Sequence, residues 1–283
     1  MRLVSYLAAG VPAAGVLAGE EIVPLSSLER APGASVRQLL EALDSDGLRR
    51  LGELAAAAGD RVALSQVRLR APVPDPEKII CMGLNYRDHA EETGQEIPQA
   101  PMWFAKFANS LCGSGSDIVL PTAHPEFVDY EAELALVMGR RARNVDAEDA
   151  LAHIAGVMPF NDVSARDLQM QNPLWTSGKA IDTFAPCGPA LVTLDEVDDL
   201  AGLSLRARID GETVQEGSTA QLIFGPAELV AWLSRTMTLL PGDIIATGTP
   251  AGVGAAQGRL LRDGNVVEIE IEGIGTLSNP VRA

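Results

Sequence analysis

The sequence predicts an α+β fold: a strand-rich, rolled or barrel-like domain over residues 72–283, carrying a small α+β domain over residues 1–71. Three observations lead there. Short apolar or alternating runs bounded by Gly and Pro turns outnumber helical periodicities. Strands and helices do not alternate regularly, which argues against a TIM barrel or a Rossmann fold. The segment RAPVPDPEK, with Pro72, Pro74 and Pro76, marks a linker between two regions of different texture.

Within residues 1–70, RLVSYL and GVLAGEEIVPL have the composition of short strands around Gly and Pro turns. SVRQLLEAL and GLRRLGELAAAA carry the spacing of amphipathic helices, with Ser35 placed to cap the first. From Lys78 onward, KIICMGL is a buried strand and NYRDHAEETG a short helix after a turn. QEIPQAP is a Pro-punctuated loop. DIVLP, YEAELALVMG, PALVTL, LSLRARIDG, ETVQEG, DIIATG and NVVEIEIEG follow as strands, with turns at Asp210-Gly211 and Asp263-Gly264. DAEDALAHIAG, VSARDLQMQ and GPAELVAWLSRTM are the remaining helices. No internal repeat and no low-complexity tract is present.

The net charge of −16 argues against nucleic acid or an anionic membrane as the main partner. No apolar run approaches the ~20 residues of a bilayer span. The opening MRLVSYLAAGVPAAG is interrupted by Pro12 and followed by a polar strand-like segment, so no export is expected. Cys81, Cys112 and Cys187 are sparse and odd in number, which predicts free thiols in a reducing cytoplasm. An anionic substrate would be repelled by this surface, so its site needs local positive charge from a metal, Lys or Arg. Of 22 Lys and Arg residues only Lys78, Lys106 and Lys179 are lysines. A lysine retained in an apolar segment offers a compact charge and a tunable pKa that arginine does not.

The sharpest feature is Tyr130-Glu131-Ala132-Glu133 followed by LALVM. On a strand, Glu131 and Glu133 share a face at about 7 Å spacing. Two carboxylates on a buried face repel each other and are costly to desolvate, and a divalent cation removes both penalties. A solvated strand end would carry the same pair without any cation. A third carboxylate, Asp162, ends the apolar run IAGVMPFND just before a predicted helix, where it also suits a helix cap. Glu, Glu and Asp make an all-oxygen set that suits Mg²⁺, Mn²⁺ or Ca²⁺ rather than Zn²⁺. His89 and Glu92 lie i, i+3 on a helical turn, close enough for the carboxylate to orient the imidazole as a base; a surface helix pair has the same spacing.

Six motifs then carry a resemblance. They are Gly83-Leu84-Asn85-Tyr86-x-x-His89-x-x-Glu92, Phe104-x-Lys106, Asp129-Tyr130-Glu131-x-Glu133-Leu134, Asn161-Asp162-x-x-x-Arg166-Asp167-x-Gln169, Gly178-Lys179-x-x-Asp182 and Thr247-Gly248-Thr249-Pro250-x-Gly252-Val253-Gly254. In this order they resemble the fumarylacetoacetate hydrolase family, in its longer bacterial form with an N-terminal extension. The resemblance implies that Glu131, Glu133 and Asp162 hold Mg²⁺, with Mn²⁺ as the alternative. It makes His89 and Glu92 a catalytic pair on a lid, for which Gly94, Pro98 and Pro101 provide a mobile segment. It puts Lys179, with Asp182, beside the metal and Lys106 close by. It assigns Arg166, Gln169, Thr249, Gly248 and Tyr86 to the substrate, and it implies a homodimer. The glycines of TGTPAGVG permit close backbone approach to an anion, although the spacing is neither that of a Walker loop nor of a dinucleotide fingerprint. His124 and His153 receive no role.

The expected reaction is hydrolytic C–C cleavage of an acylpyruvate-like 2,4-diketo acid, such as fumarylpyruvate or a sugar-derived diketo acid. Decarboxylation of oxaloacetate, and isomerisation or hydration of a 2-hydroxy-dienoate in aromatic catabolism, draw on the same residues. The distal pocket, with Trp103 and Trp175 as candidate lining, would separate them. A catalytically inert binding protein is disfavoured by the intact acids, His89 and both motif lysines.

Overall fold

The computed structural model describes residues 1–28, 31, 35–123 and 125–283; His124 lies outside them. The N-terminal strands are β1 (Arg2–Ala8), β2 (Val11–Ala18) and β3 (Glu21–Pro24). The other main strands are β4 (Ile79–Gly83), β5 (Met102–Lys106), β6 (Ala132–Met138), β7 (Ile154–Asn161), β8 (Leu191–Thr193), β9 (Ser204–Ile209), β10 (Glu212–Ser218), β11 (Ile244–Ala246), β12 (Val266–Ile271) and β13 (Gly275–Arg282). The helices used below are α1 (Val36–Ala42), α2 (Ser45–Ala57), α3 (Arg87–Glu92), α4 (Arg166–Gln169), α5 (Thr176–Lys179) and α6 (Pro226–Thr236). The architecture is a strand-rich α+β fold built on two large sheets.

The larger sheet runs Val62–Ala63, β3, β2, β1, β8, β7, β6, β11, β4, β5. Its centre is antiparallel, except that β11 runs parallel to β4. The second sheet runs β10, β9, β12, β13 and then Ile118–Val119. Strands β6 and β7 are buried along their whole length because apolar layers cover both faces. Leu134, Leu136 and Met138 enter one core; Ala135 and Val137 enter the other. The odd-numbered face of β6 is thus fixed by packing, and Glu133 lies on it. In the second sheet β9 and β12 alternate, with Leu205, Ala207, Ile209, Val267, Ile269 and Ile271 inward.

Ser35 caps α1 as expected: its hydroxyl accepts the Gln38 amide at 3.2 Å, and the Gln38 side chain accepts the Ser35 amide at 3.3 Å. Residues 1–71 join the larger sheet through β1, where Arg2 lies opposite Val192 of β8. Met1, Leu3, Val36 and Leu39 share an apolar cluster with Val137 and Met158. The domain boundary proposed at residue 71 is therefore crossed by both strand pairing and core contacts.

Four local differences from the sequence expectation have physical causes. VSARDLQMQ does not begin as a helix: Ser164–Ala165 pair with Val128–Asp129, and α4 starts only at Arg166. The DAEDALAHIAG helix is four residues, Ala147–Ala150, followed by a 3-10 turn, because Ile154 already belongs to β7. Strand β5 follows Pro101 directly at the sheet edge with Met102 and Trp103 exposed, so it lacks a clear alternation. Strand β13 contains Pro280, which is tolerated opposite Val266 at the end of the ladder with β12.

Candidate active site and metal centre

Three buried carboxylates meet where β6 begins and β7 ends. The Asp162 amide donates to the Glu131 carbonyl at 3.0 Å, and the Glu131 amide donates to Asn161 Oδ1 at 3.0 Å. This pairing brings an oxygen from each of Glu131, Glu133 and Asp162 within 4.8 Å of the others. Lys179, at the end of α5, donates to Glu131 Oε2 at 2.8 Å and to Asp162 Oδ2 at 2.9 Å. Lys106, at the end of β5, lies 2.6 Å from Asp162 Oδ1 and donates to the carbonyls of Val163 and Phe184. Arg166 reaches Asp129 Oδ2 at 2.8 Å and Glu131 Oε1 at 2.6 Å.

Four carboxylates (Asp129, Glu131, Glu133, Asp162) thus face three cations (Lys106, Lys179, Arg166) in a largely buried site. The imbalance falls on Glu133. Burial, with repulsion from Asp162 and Glu131, pushes its carboxyl well above the ordinary range. Burial acts the same way on Glu131, but Lys179 and Arg166 outweigh it and hold that carboxyl at about 2. Burial lowers Lys106 against the pull of Asp162, whereas for Lys179 the attraction of Asp162 and Glu131 overcomes burial and raises it. Glu133 Oε2 accepts the Gly248 amide at 2.9 Å, while Oε1 is buried and accepts no hydrogen bond from the described residues. A hard divalent cation fits this arrangement: the donors are all oxygen, one is unpartnered, and the site carries excess negative charge.

Helix α3 supplies the second half. His89 Nδ1 lies 3.0 Å from Glu92 Oε2, and Glu92 Oε1 accepts the Gly252 amide at 2.8 Å. Glu92 therefore holds the imidazole and the glycine loop at once. Gly252 has φ +101°, which a side chain would strain.

The two halves share a cavity of about 460 Å³. His89, Glu92, Glu131, Lys179, Arg166, Gln169 and Thr249 all line it. Lys106 and Asp162 sit beneath it, fully buried. The lining does not include Gly248 or Tyr86: Gly248 serves Glu133 through its amide, and Tyr86 is buried with its hydroxyl unpartnered among the described residues. The donors of Arg166 are directed at Asp129, Glu131 and Gln169 rather than outward. Asp182 does not meet Lys179; it is exposed and accepts the Asn109 side chain at 2.6 Å.

Sequence reasoning gave no role to three residues that shape the site. Asp129 accepts the amides of Tyr130, Gly254 and Ala255 as well as Arg166, tying the glycine loop to the acid cluster. Gln215 donates to Thr249 Oγ1 and to the Pro250 carbonyl, both at 3.0 Å. Phe104 places its ring 5.1 Å from Lys179 Nζ and packs edge-on against Trp175. The positions of Asp129 and Phe104 within their motifs were the available signals; Gln215 lies in none of them.

A buried all-oxygen acid cluster that suits a divalent cation, opening onto a cavity with a histidine–carboxylate pair, has the make-up of an enzyme site. The chain matches the family described as fumarylacetoacetate (FAA) hydrolase C-terminal over residues 78–282 and belongs to that family. It is 39% identical over 289 residues to "Oxaloacetate tautomerase fahd2, mitochondrial" of Xenopus laevis, covering 99% of this chain and 90% of that protein. The 5-carboxymethyl-2-hydroxymuconate delta-isomerase of Mycobacterium smegmatis is similar at TM-score 0.79 and 36% identity, covering 100% and 98% of the two chains. The maleylpyruvate hydrolase of Sphingobium sp. SYK-6, in complex with manganese(II) ion and pyruvate, is similar at TM-score 0.82 and 33% identity, covering 100% and 99%. Among the described residues no helix is long and apolar enough to cross a membrane.

Proposed function

We propose that this enzyme interconverts the enol and keto forms of a small 2-oxo acid, with oxaloacetate the first candidate. The observation that carries the reading is the pairing, around one cavity, of a buried ammonium with an oriented imidazole: Lys179 between Glu131 and Asp162, and His89 held by Glu92. A divalent cation on Glu131, Glu133 and Asp162, Mg²⁺ or Mn²⁺, would supply Lewis-acid charge to the oxygens of the 2-oxo acid. In the keto-to-enol direction His89 takes a proton from C3. The C3 electron pair moves into the C2–C3 bond and the carbonyl π pair moves onto O2. The Lys179 ammonium offsets the charge on O2 until that oxygen takes a proton from water, and the His89 imidazolium returns the C3 proton to water, so that no proton is gained or lost. Glu92 keeps the imidazole aimed through Nδ1, leaving Nε2 to act. The likeness to an oxaloacetate tautomerase along nearly the whole chain supports this choice of reaction.

Hydrolysis of an acylpyruvate is the second reading, supported by the likeness to a maleylpyruvate hydrolase. There His89 would deprotonate water for attack on the distal carbonyl, and the departing pyruvate enolate would meet the same Lys179. Decarboxylation of oxaloacetate shares that enolate. The decay of enol-oxaloacetate absorbance, with Mg²⁺ or Mn²⁺ and with EDTA, tests the first reading. Products from an acylpyruvate panel, identified by mass spectrometry, test the second. Acceleration of enol decay without new products supports tautomerisation; pyruvate plus a second acid supports hydrolysis. Exposed Met102, Trp103 and Phe107 at the β5 edge support a homodimer, and three free thiols support a reducing, cytoplasm-like compartment.

A further inference from the structure

The charged groups of the cavity are already committed to one another. Among its described lining residues, Lys179 is bound to Glu131 and Asp162, Arg166 to Asp129 and Glu131, and His89 to Glu92. No guanidinium or ammonium there is left to receive a second substrate carboxylate. The rest of the wall combines apolar Met82, Phe104, Met170, Trp175 and Val253 with the uncharged Thr93, Gln95, Gln169 and Thr249. About 460 Å³ is far more than a four-carbon acid fills.

Trp175 is held as part of that wall. Its ring meets Phe104 edge-on, with centroids 5.7 Å apart and planes at 64°. It also packs over Gly83, where an added Cβ would stand 2.5 Å from Trp175 Cζ3. The glycine leaves the space that the indole occupies. The indole in turn presents an aromatic surface beside Lys179, whose ammonium sits over the Phe104 ring.

We propose that this wall receives an aromatic substituent on C3, so that arylpyruvates are better ligands and substrates than oxaloacetate. The inference rests on the keto–enol reading for its chemistry and on the wall for its selectivity. In the enol-to-keto direction the enol O–H bond breaks and a C3–H bond forms, with no other reactant. The aryl ring lies against Trp175 and Phe104, where edge-on or offset ring contacts and burial favour it over a carboxylate that finds no cation.

Phenylpyruvate and oxaloacetate are the probes. Calorimetry with Mn²⁺ added gives both dissociation constants for the wild type, Trp175→Ala and Gly83→Ala, and enol decay is followed for each. The expected result is tighter phenylpyruvate binding in the wild type. Trp175→Ala, which removes the aromatic surface, and Gly83→Ala, which drives the indole into the cavity, should each cut that preference about tenfold. The variants act from opposite steric directions, so a folding defect in one leaves the other informative. Absent phenylpyruvate binding, oxaloacetate binding as tight or tighter, or a preference unchanged in both variants overturns the proposal. If the binding preference appears as expected but neither enol decays faster with enzyme, the aromatic wall stands and the keto–enol reading fails.

Discussion

Glu92 holds His89 through one carboxylate oxygen, 3.0 Å from Nδ1, while its other oxygen accepts the Gly252 amide at 2.8 Å. The base is thereby positioned by a residue that also latches α3 to the glycine loop. Replacing Glu92 with Gln keeps an acceptor for Gly252 but removes the charge that steadies an imidazolium. Glu92→Gln should lower kcat about 10- to 100-fold and change KM little; His89→Ala should lower it about 10²- to 10⁴-fold. Steady-state enol decay on oxaloacetate checks both. Equal losses in kcat and in folded fraction would reduce Glu92 to a structural latch.

Glu133 is the acid least well served by the metal-free site, since Oε1 has no partner among the described residues and Asp162 and Glu131 repel it. Glu133→Gln removes one repelling charge and one cation ligand together. Metal-free protein carrying Glu133→Gln should melt higher than metal-free wild type, by about 2–4 °C for each kcal/mol of repulsion relieved. The increment that saturating Mn²⁺ gives the wild type, about 2.7 kcal/mol at a hundredfold excess over Kd, should be absent in the variant. Thermal melts with EDTA and with Mn²⁺ measure both effects. A variant that melts lower in EDTA and still responds to Mn²⁺ would put the cation elsewhere.

Lys179 carries the opposite prediction. Its ammonium is buried between Glu131 and Asp162, and truncating one member of a buried pair leaves the other charges uncompensated. Lys179→Met should destabilise the metal-free protein by about 3–5 kcal/mol. Divalent cation should restore much of that stability, because it supplies positive charge to the same oxygens, while activity stays lost. Urea unfolding with and without Mg²⁺, paired with enol decay, separates the two roles. Recovery of activity along with stability would show that Lys179 serves the fold alone.

The three thiols should be inert in the folded protein. Burial pushes Cys112 up to about 12, against a lowering by Lys106, and pushes Cys81 and Cys187 well above the ordinary thiol range. The thiolate is the nucleophile, so its fraction at pH 8 falls as the pKa rises. Iodoacetamide at pH 8 should label none of the three within an hour and all three in denaturant, as counted by intact mass. Rapid native labelling of Cys112 would show that its surroundings open readily.

The parts of the molecule legible in the sequence are those set by short-range pattern. Ser35 announces an N-cap ahead of an amphipathic run, and the structure closes it as a capping box with Gln38. Glu131 and Glu133 announce a shared face through strand periodicity, and packing of Ala135 and Val137 confirms which face that is. The hidden parts depend on distant contacts. Asp129 meets Gly254 across 125 residues, so no local signal reveals that it ties the glycine loop to Arg166. Arg166, spaced like a substrate clamp, is occupied by Asp129 and Glu131 instead. Of the two tryptophans named as candidate lining, Trp175 does line the cavity, in space that Gly83 of another element leaves open, and Trp103 does not. Strand β5 escapes detection because its exposed Met102 and Trp103 break the alternation that marks half-buried strands.

The most direct test of the central claim is the rate of enol-oxaloacetate decay catalysed by purified protein with Mn²⁺, with EDTA, and by His89→Ala with Mn²⁺. The account predicts acceleration above the metal-only background by the wild type with Mn²⁺, loss of that acceleration in EDTA, and loss again in His89→Ala with metal still bound. Undiminished acceleration in EDTA or in His89→Ala would contradict it, because enolate formation would then depend on neither the cation site nor the imidazole that Glu92 holds over the cavity.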